Sequence, residues 1–366
     1  MPRRNKGPRL HWRAGRGVWE IRDAGDLRIS TGFGRGQEAE AEAALEVYLA
    51  SKRLKSGPVP PEELTVGQVL ALYADEKAVG FAAPDRVGYA IDALAGFWGN
   101  DAVSEVKASR CREYVTWRGV SASTVRRELG VLQAALRHCA RESYLTAAPE
   151  VWRPQESPPV DRWLTRQEVA WLLRAARQLR KDGRHLADFI LCGVYTGSRK
   201  ATILGLQIDQ PSVTGGYIDT RQGVLYRRPA DKRETKKRQR PARLPAKYLA
   251  HVQRQARRGR RFVVQDDAGN RVGDIRKGWV RAVELAAELA AKKEIELDLT
   301  QITGGARKPI TPHVLKHTSI TWALQRGAEI WDAAGLFSTS AETIERVYGH
   351  HSPKHQESAV RALNRK

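Results

Sequence analysis

The chain has 366 residues, of which 41% are hydrophobic, enough for two or three domains with their own cores. Sixty-three Lys and Arg against 41 Asp and Glu leave a formal charge of +22, which points to a polyanionic partner, nucleic acid or an acidic membrane surface. No stretch approaches the roughly 18 to 20 apolar residues of a membrane span, and no apolar signal core follows the basic start MPRRNK, so a cytoplasmic protein with no membrane partner is expected.

The first segment, residues 1–56, carries short β-like runs at Arg9 to Arg13, Val18 to Arg22 and Leu27 to Thr31, separated by Gly-containing turns. The helical stretch QEAEAEAALEVYLASK follows them. A small sheet on one helix is only marginally stable alone, so an appended module is expected. SGPVPPEE, Ser56 to Glu63, is a linker.

Residues 62–150 are helical throughout, opening with Thr65 as N-cap and Val66, Val69, Leu70 and Tyr73 at helical spacing. In the last helix, STVRRELGVLQAALRHCARES, Leu129, Leu132, Leu136 and Cys139 form one stripe, while Arg126, Arg127 and Arg137 point elsewhere as candidate DNA contacts. A Pro-rich linker, PEVWRPQESPPVDRW, leads to Thr165-Arg-Gln-Glu168, a capping box that opens the largest domain, residues 160–366. There, helices flank a short β region around Gly216 to Leu244, and no strand-helix-strand alternation suggests a parallel sheet. Cys111, Cys139 and Cys192 are odd in number and widely spaced, which excludes a disulfide framework and a CxxC-type zinc site and leaves buried free thiols. Neither GxGxxG nor GxxxxGK[ST] occurs, so nucleotide-driven chemistry has no support.

Four constellations can carry chemistry. Tyr195-Thr-Gly-Ser-Arg199 follows an apolar helical run, leaving the Arg199 guanidinium and fresh backbone N–H groups to face an anion. Arg227 to Pro245 holds nine Lys and Arg with only Asp231 and Glu234 as acids; flanked by VLYRR and ARLP, it reads as a hairpin with a basic tip. In Thr311-Pro-His-Val-Leu-Lys-His317, Thr311 as N-cap and Pro312 at the first helical position put His313, Lys316 and His317 on one face. No acidic third ligand is evident and HxxKH lacks the glutamate of HExxH, so no metal is expected, and His317 is assigned a packing or capping role. Last, Tyr348 stands near a helix end just ahead of Gly349, after Thr339-x-x-Glu342, a second capping box.

This order resembles the tyrosine-recombinase, or phage-type integrase, family: an arginine turn, a basic hairpin, a His-x-x-cation helix, and a tyrosine 32 residues after Lys316. The resemblance covers the chain from about Thr165 to its end. It implies a mostly α protein with small β elements: an N-terminal α+β module like an integrase arm-binding domain (1–56), a helical core-binding domain (62–150), and a mixed α/β catalytic domain with a short antiparallel sheet (160–366). The implied catalytic residues are Arg199 for the first arginine, Lys237, eight residues before Pro245, for the hairpin lysine with Lys236 as alternative, His313, and Tyr348 as nucleophile. Arg238 and Arg240 of the hairpin are further implied DNA contacts. The sequence departs from the family in having Lys316 where the second arginine is usual and Thr339 in place of the histidine or tryptophan of the Leu-Gly-His box, which falls on Phe337-Ser338-Thr339. Thr202 occupies a position where an acidic residue is frequent.

The implied activity is cofactor-free cutting and rejoining of DNA through a 3′-phosphotyrosyl ester, as in an integrase of a bacterial mobile element. Its partners are duplex attachment sites on which protomers form a tetramer, with a paralogous recombinase or a directionality factor as further partners, at the bacterial nucleoid. Two alternatives stand beside it: a DNA-binding relative impaired in cleavage, acting as an accessory or regulatory factor, and a type IB topoisomerase.

Overall fold

In a computed structural model, residues 7–24, 27–55, 57–81, 83–156, 161–179, 183–229, 239–303, 305–353, 356–357, 360 and 363–364 are described. The chain forms two compact units, residues 1–157 and 158–366.

The first unit begins with an antiparallel sheet of β1 (Arg9–Arg13), β2 (Val18–Arg22) and β3 (Arg28–Ser30), in that order. Trp12 pairs across the ladder with Trp19, their rings 5.3 Å apart and edge-on, an arrangement that suits aromatic quadrupoles. Buried Glu20 is held by Arg13 at 2.7 Å. Helix α1 (Glu38–Lys55) follows.

Among the described residues of this unit, four further α-helices follow: α2 (Val66–Glu76), α3 (Pro84–Trp98), α4 (Ala108–Arg118) and α5 (Ala122–Arg141). Thr65 caps α2 in a full capping box with Gln68. The stripe of Leu129, Leu132, Leu136 and Cys139 on α5 is wholly buried, packed in one core with Trp98 and Tyr114. Arg127 and Arg137 are exposed on its other face, whereas Arg126 is half-buried and donates to the Pro154 carbonyl at 2.7 Å.

The second unit opens at the expected capping box, Thr165 and Glu168 each bonding the other's backbone N–H, at the start of α6 (Arg166–Gln178). Next come α7 (Gly183–Thr196) and the short α8 (Lys200–Leu204). A four-stranded sheet of β4 (Gln207–Ile208), β5 (Tyr217–Asp219), β6 (Val224–Tyr226) and β7 (Ala242–Arg243) follows. Strands β5, β6 and β7 are antiparallel, while β4 pairs parallel to β5 through a loop without a crossover helix. Strands β6 and β7 are the base of the basic hairpin; its tip, with Lys236, Lys237 and Arg238, lies outside the described residues.

The remaining elements are α9 (Ala246–Arg257), α10 (Arg276–Ala291), β8 (Thr300–Thr303), β9 (Ala306–Pro309), α11 (Val314–Gln325), α12 (Ile330–Phe337) and α13 (Ala341–Tyr348). The β8–β9 hairpin was not expected, because TQIT and ARKP carry none of the apolar alternation that marks a half-buried strand. Leu172, Leu186, Phe189, Ile190, Trp279 and Leu315 form the main core. Helices α7 and α11 meet at Gly193, where a Cβ would stand 2.6 Å from Leu315 Cδ1. A smaller cluster joins Ile320, Leu324, Phe337, Ile344 and Tyr348, binding α12 and α13 to α11. All three cysteines are buried and free.

Two local expectations are corrected. Helix α13 is capped by Ser340, whose side chain accepts from the Thr343 N–H, and not by Thr339. The preceding residue Ser338 ends α12 in the left-handed region (φ +49°), which delays the next helix by one residue. Helix α11 begins at Val314, after turn bonds from Val314 N–H to Thr311 O and from Leu315 N–H to Pro312 O; His313 is its N-cap, without a side-chain cap bond.

Candidate active site

The arginine turn is held by its own small residues. The Thr196 hydroxyl donates to the Cys192 carbonyl at 2.6 Å and Ser198 N–H donates back to that hydroxyl. Gly197 takes φ +58°, and a Cβ there would stand 2.5 Å from Phe337 Cδ1. Glycine is therefore needed both for the backbone turn and for close approach of α12. Arg199 follows as the half-buried N-cap of α8, and its guanidinium makes no hydrogen bond or ion pair among the described residues.

Lys316 and His313 stand beside that arginine. The Lys316 side chain is buried, its Nζ donating to the Phe337 carbonyl at 3.2 Å. Burial, then the charges of Arg199 and Arg227, bring its pKa down to about 8. His313 lies at the solvent edge; the protein around it first, then Lys316 and Arg199, hold its pKa below the ordinary 6.5. Thus Arg199 and the neighbouring pair His313 and Lys316, distant from it in sequence, share one electrostatic field.

The residue that sequence assigned to packing is the one that meets the tyrosine. Nδ1 of His317 lies 2.8 Å from the Tyr348 hydroxyl, and the His313 ring packs edge-on against His317 with centroids 4.9 Å apart. Burial, then His313 and Lys316, push His317 down to about 4, so its ring is neutral at ordinary pH. With its proton on Nε2, Nδ1 accepts from the phenol. Burial, reinforced by the negative charge of Asp161, lifts Tyr348 to about 12. An unaided phenolate is therefore scarce near neutrality.

The end of the tyrosine helix is fastened by Asp161, which lies 3.3 Å from His350 Nε2 and 3.4 Å from His351 Nε2. These three also bring one metal-ligand atom each within 4.8 Å of one another, a grouping that their pairing already explains. Thr339 is half-buried, and its N–H donates to the Ala334 carbonyl. Arg240 is exposed, while its carbonyl accepts from Arg227 and from Ser338.

In the sequence, Arg227 reads only as part of the basic hairpin. It is instead buried between the arginine turn, Ser338 and Arg240. Its place two residues after buried Leu225 of β6, on the same face by the alternation of a strand, is the one signal that sets it apart from the rest of the run.

The architecture around this cluster has counterparts among solved structures. The integrase of the Tn1549 transposon, in complex with transposon right end DNA, superposes with a TM-score of 0.62 at 17% identity, over 82% of this chain and 100% of that one. The lambda integrase dimer bound to a COC′ core site matches with a TM-score of 0.55 at 14% identity, over 95% of this chain and 96% of that one. This chain has the tyrosine-recombinase fold. Another tyrosine recombinase, the lambda integrase tetramer bound to a Holliday junction, gives a TM-score of 0.52 at 13% identity, over 92% of this chain and 97% of that one. No family model and no curated protein matches the sequence. Among the described residues, no helix of this recombinase fold is long and apolar enough to cross a membrane.

Proposed function

We propose that this protein is a site-specific DNA recombinase, an integrase of a mobile element, that cuts and rejoins duplex DNA through Tyr348. The observation that carries this reading is the Tyr348–His317 hydrogen bond, with Lys316 acting on His317 and Arg199 acting in turn on Lys316, on an integrase fold. The Tyr348 oxygen attacks the scissile phosphorus while its proton passes to Nδ1 of His317, and the P–O5′ bond breaks to leave a 3′-phosphotyrosyl ester. Arg199 grips the non-bridging oxygens as charge accumulates, and Lys316 neutralises one of them as a point charge rather than a fork. Lys237, or Lys236, protonates the leaving 5′-oxygen. Religation reverses these steps with a new 5′-hydroxyl and needs no external energy.

Residues 1–56, 62–150 and 160–366 act as arm-binding, core-binding and catalytic domains in this proposal. Arg127 and Arg137 contact phosphates from the helical domain, with Arg126 beside them, and Arg238 and Arg240 do so from the hairpin. Protomers work as a tetramer on their sites.

The test is covalent trapping. Binding sequences are selected from a randomised duplex library and rebuilt with a nick at successive positions, so that a short 5′-hydroxyl fragment is lost after cleavage. A detergent-stable protein–DNA adduct is expected; its absence at every nick overturns the reading. Two observations favour the second reading, a relative impaired in cleavage: Lys316 Nζ is engaged by the Phe337 carbonyl, and Thr339 brings no charge. DNA binding without an adduct would establish it.

A further inference from the structure

Arg227 is 6% exposed, and each of its five N–H groups meets one acceptor. Nε donates to Ser198 Oγ at 3.1 Å. One terminal nitrogen donates to the Arg240 carbonyl at 3.0 Å and to Ser338 Oγ at 3.2 Å. The other donates to the carbonyls of Thr196 at 2.9 Å and Leu336 at 2.8 Å. A guanidinium has five such donors, so none is left for a phosphate oxygen.

The acceptors belong to three segments that sequence does not connect. One is the turn carrying Arg199. Another is Leu336 to Ser338, whose Phe337 carbonyl receives Lys316 and which leads into Thr339. The third is the returning arm of the basic hairpin at Arg240. A shift in any one of them would strain the same planar group.

Among the described residues no carboxylate pairs with Arg227. Burial lowers its pKa to about 10, with Arg199 acting in the same direction, and it remains charged at neutral pH. Keeping a buried cation without a counter-ion is unfavourable. A polyanion bound at the neighbouring Arg199 and Lys316 supplies the missing negative charge.

We propose that Arg227 is a positioning residue that locks the Arg199 turn, the 336–338 segment and the hairpin base into one frame, and that lends its charge to the phosphate pocket without touching the phosphate. This rests on the recombinase reading and identifies what holds its pocket in shape.

The test uses full-length protein and the nicked duplexes described above. Arg227→Met removes charge and donors; Arg227→Lys keeps the charge and loses the fork. Duplex affinity, unfolding temperature and single-turnover adduct formation across pH are measured for each. Both variants should keep most of the wild type's duplex affinity, Arg227→Met losing only the share of one charge among many, and cleave about a hundredfold more slowly, the usual consequence of misplacing reacting groups by about 1 Å.

The pH profile separates a charge effect from simple loosening. Lys316 faces Arg199, Arg227, His313, His317 and the Phe337 carbonyl, and it titrates near 8. Wild-type cleavage should therefore fall as pH rises through that value. In Arg227→Met the fall should move to higher pH, because one of the cations disfavouring protonated Lys316 is gone; in Arg227→Lys it should stay.

Wild-type cleavage in Arg227→Met, an unmoved alkaline limb, or a loss of DNA affinity matching the loss of cleavage overturns the proposal. If Arg227→Met does not fold, Ser338→Ala removes one acceptor only, and it should slow cleavage at unchanged affinity and unfolding temperature; a wild-type rate there overturns it equally. Failure of the wild type to form an adduct overturns the recombinase reading and this inference with it. An adduct in the wild type and an equal one in the variants overturns this inference alone.

Discussion

The Tyr348 hydroxyl and Nδ1 of His317 share a 2.8 Å hydrogen bond that joins the end of α13 to the first turn of α11. A phenol raised to about 12 beside an imidazole lowered to about 4 is a neutral pair at physiological pH. Such a pair stores the nucleophile protonated, with its proton acceptor already aligned. Removing the acceptor in His317→Ala should slow adduct formation by roughly 10²- to 10⁴-fold, the usual contribution of a positioned base. Single-turnover trapping measures it, and an unchanged rate would reduce the hydrogen bond to a feature of the resting state.

Tyr348→Phe keeps a ring that packs with Ile320, Leu324 and Ile344, and deletes only the reacting oxygen. Adduct formation should vanish while duplex affinity and unfolding temperature stay close to wild type. A persistent adduct in this variant would move the nucleophile elsewhere.

The two depressed histidines make folding acid-sensitive. His313 and His317 have folded pKa values below the 6.5 of an unfolded chain, His317 at about 4, so the unfolded state binds protons first as pH falls. The contribution of His317 is complete above about 6.5 and is lost as pH drops toward about 4, with a slope of about 1.4 kcal/mol per pH unit while its protonation differs between the two states, and exposed His313 adds in the same direction. Denaturant unfolding at successive pH values should show this fall, and His317→Asn should flatten it.

Lys316 offers one compact charge where the family resemblance implies a flat fork. Lys316→Ala should slow cleavage by roughly a hundredfold or more, the cost of a lost contact to developing charge. Lys316→Arg should preserve or raise the rate if the pocket accepts a guanidinium, and should lower it if the site around the Phe337 carbonyl has closed on the smaller ammonium. Rates for the three proteins on one nicked duplex distinguish these outcomes; full activity in Lys316→Ala would remove the residue from the site.

Gly197→Ala should be destabilising by about 1 to 3 kcal/mol, since the new methyl meets Phe337 at 2.5 Å and the backbone is left-handed. Cleavage should fall further than stability alone explains, because relief of the clash displaces the Arg199 turn. Chemical denaturation and trapping, run in parallel, test the two effects; a variant as stable and active as wild type would show that α12 yields freely.

Features written within a few residues are legible in the sequence alone. The Thr165–Glu168 capping box, the α5 stripe, the hairpin edges and the Thr-Gly-Ser-Arg turn depend on hydrogen bonds and side-chain faces that span one or two helical turns, so spacing alone exposes them. Where two local solutions competed, spacing was insufficient. Thr339-x-x-Glu342 has the spacing of a capping box, yet Ser340 caps α13, following the left-handed Ser338.

By itself the sequence determined the kinds of residue that could meet, and their order along the chain: an arginine turn, a basic hairpin, a histidine-lysine helix and a late tyrosine. Only the tertiary structure decided which of them touch. His313 and His317 share a helical face, and the packing of α13 on α11 chose His317 for Tyr348, across 31 residues. Arg227 looked like one more solvated charge in a basic run, and the fold buried it among five acceptors from three segments. The physical reason is common to both. Burial and long-range contact depend on how distant elements pack, and no short window of sequence contains that information.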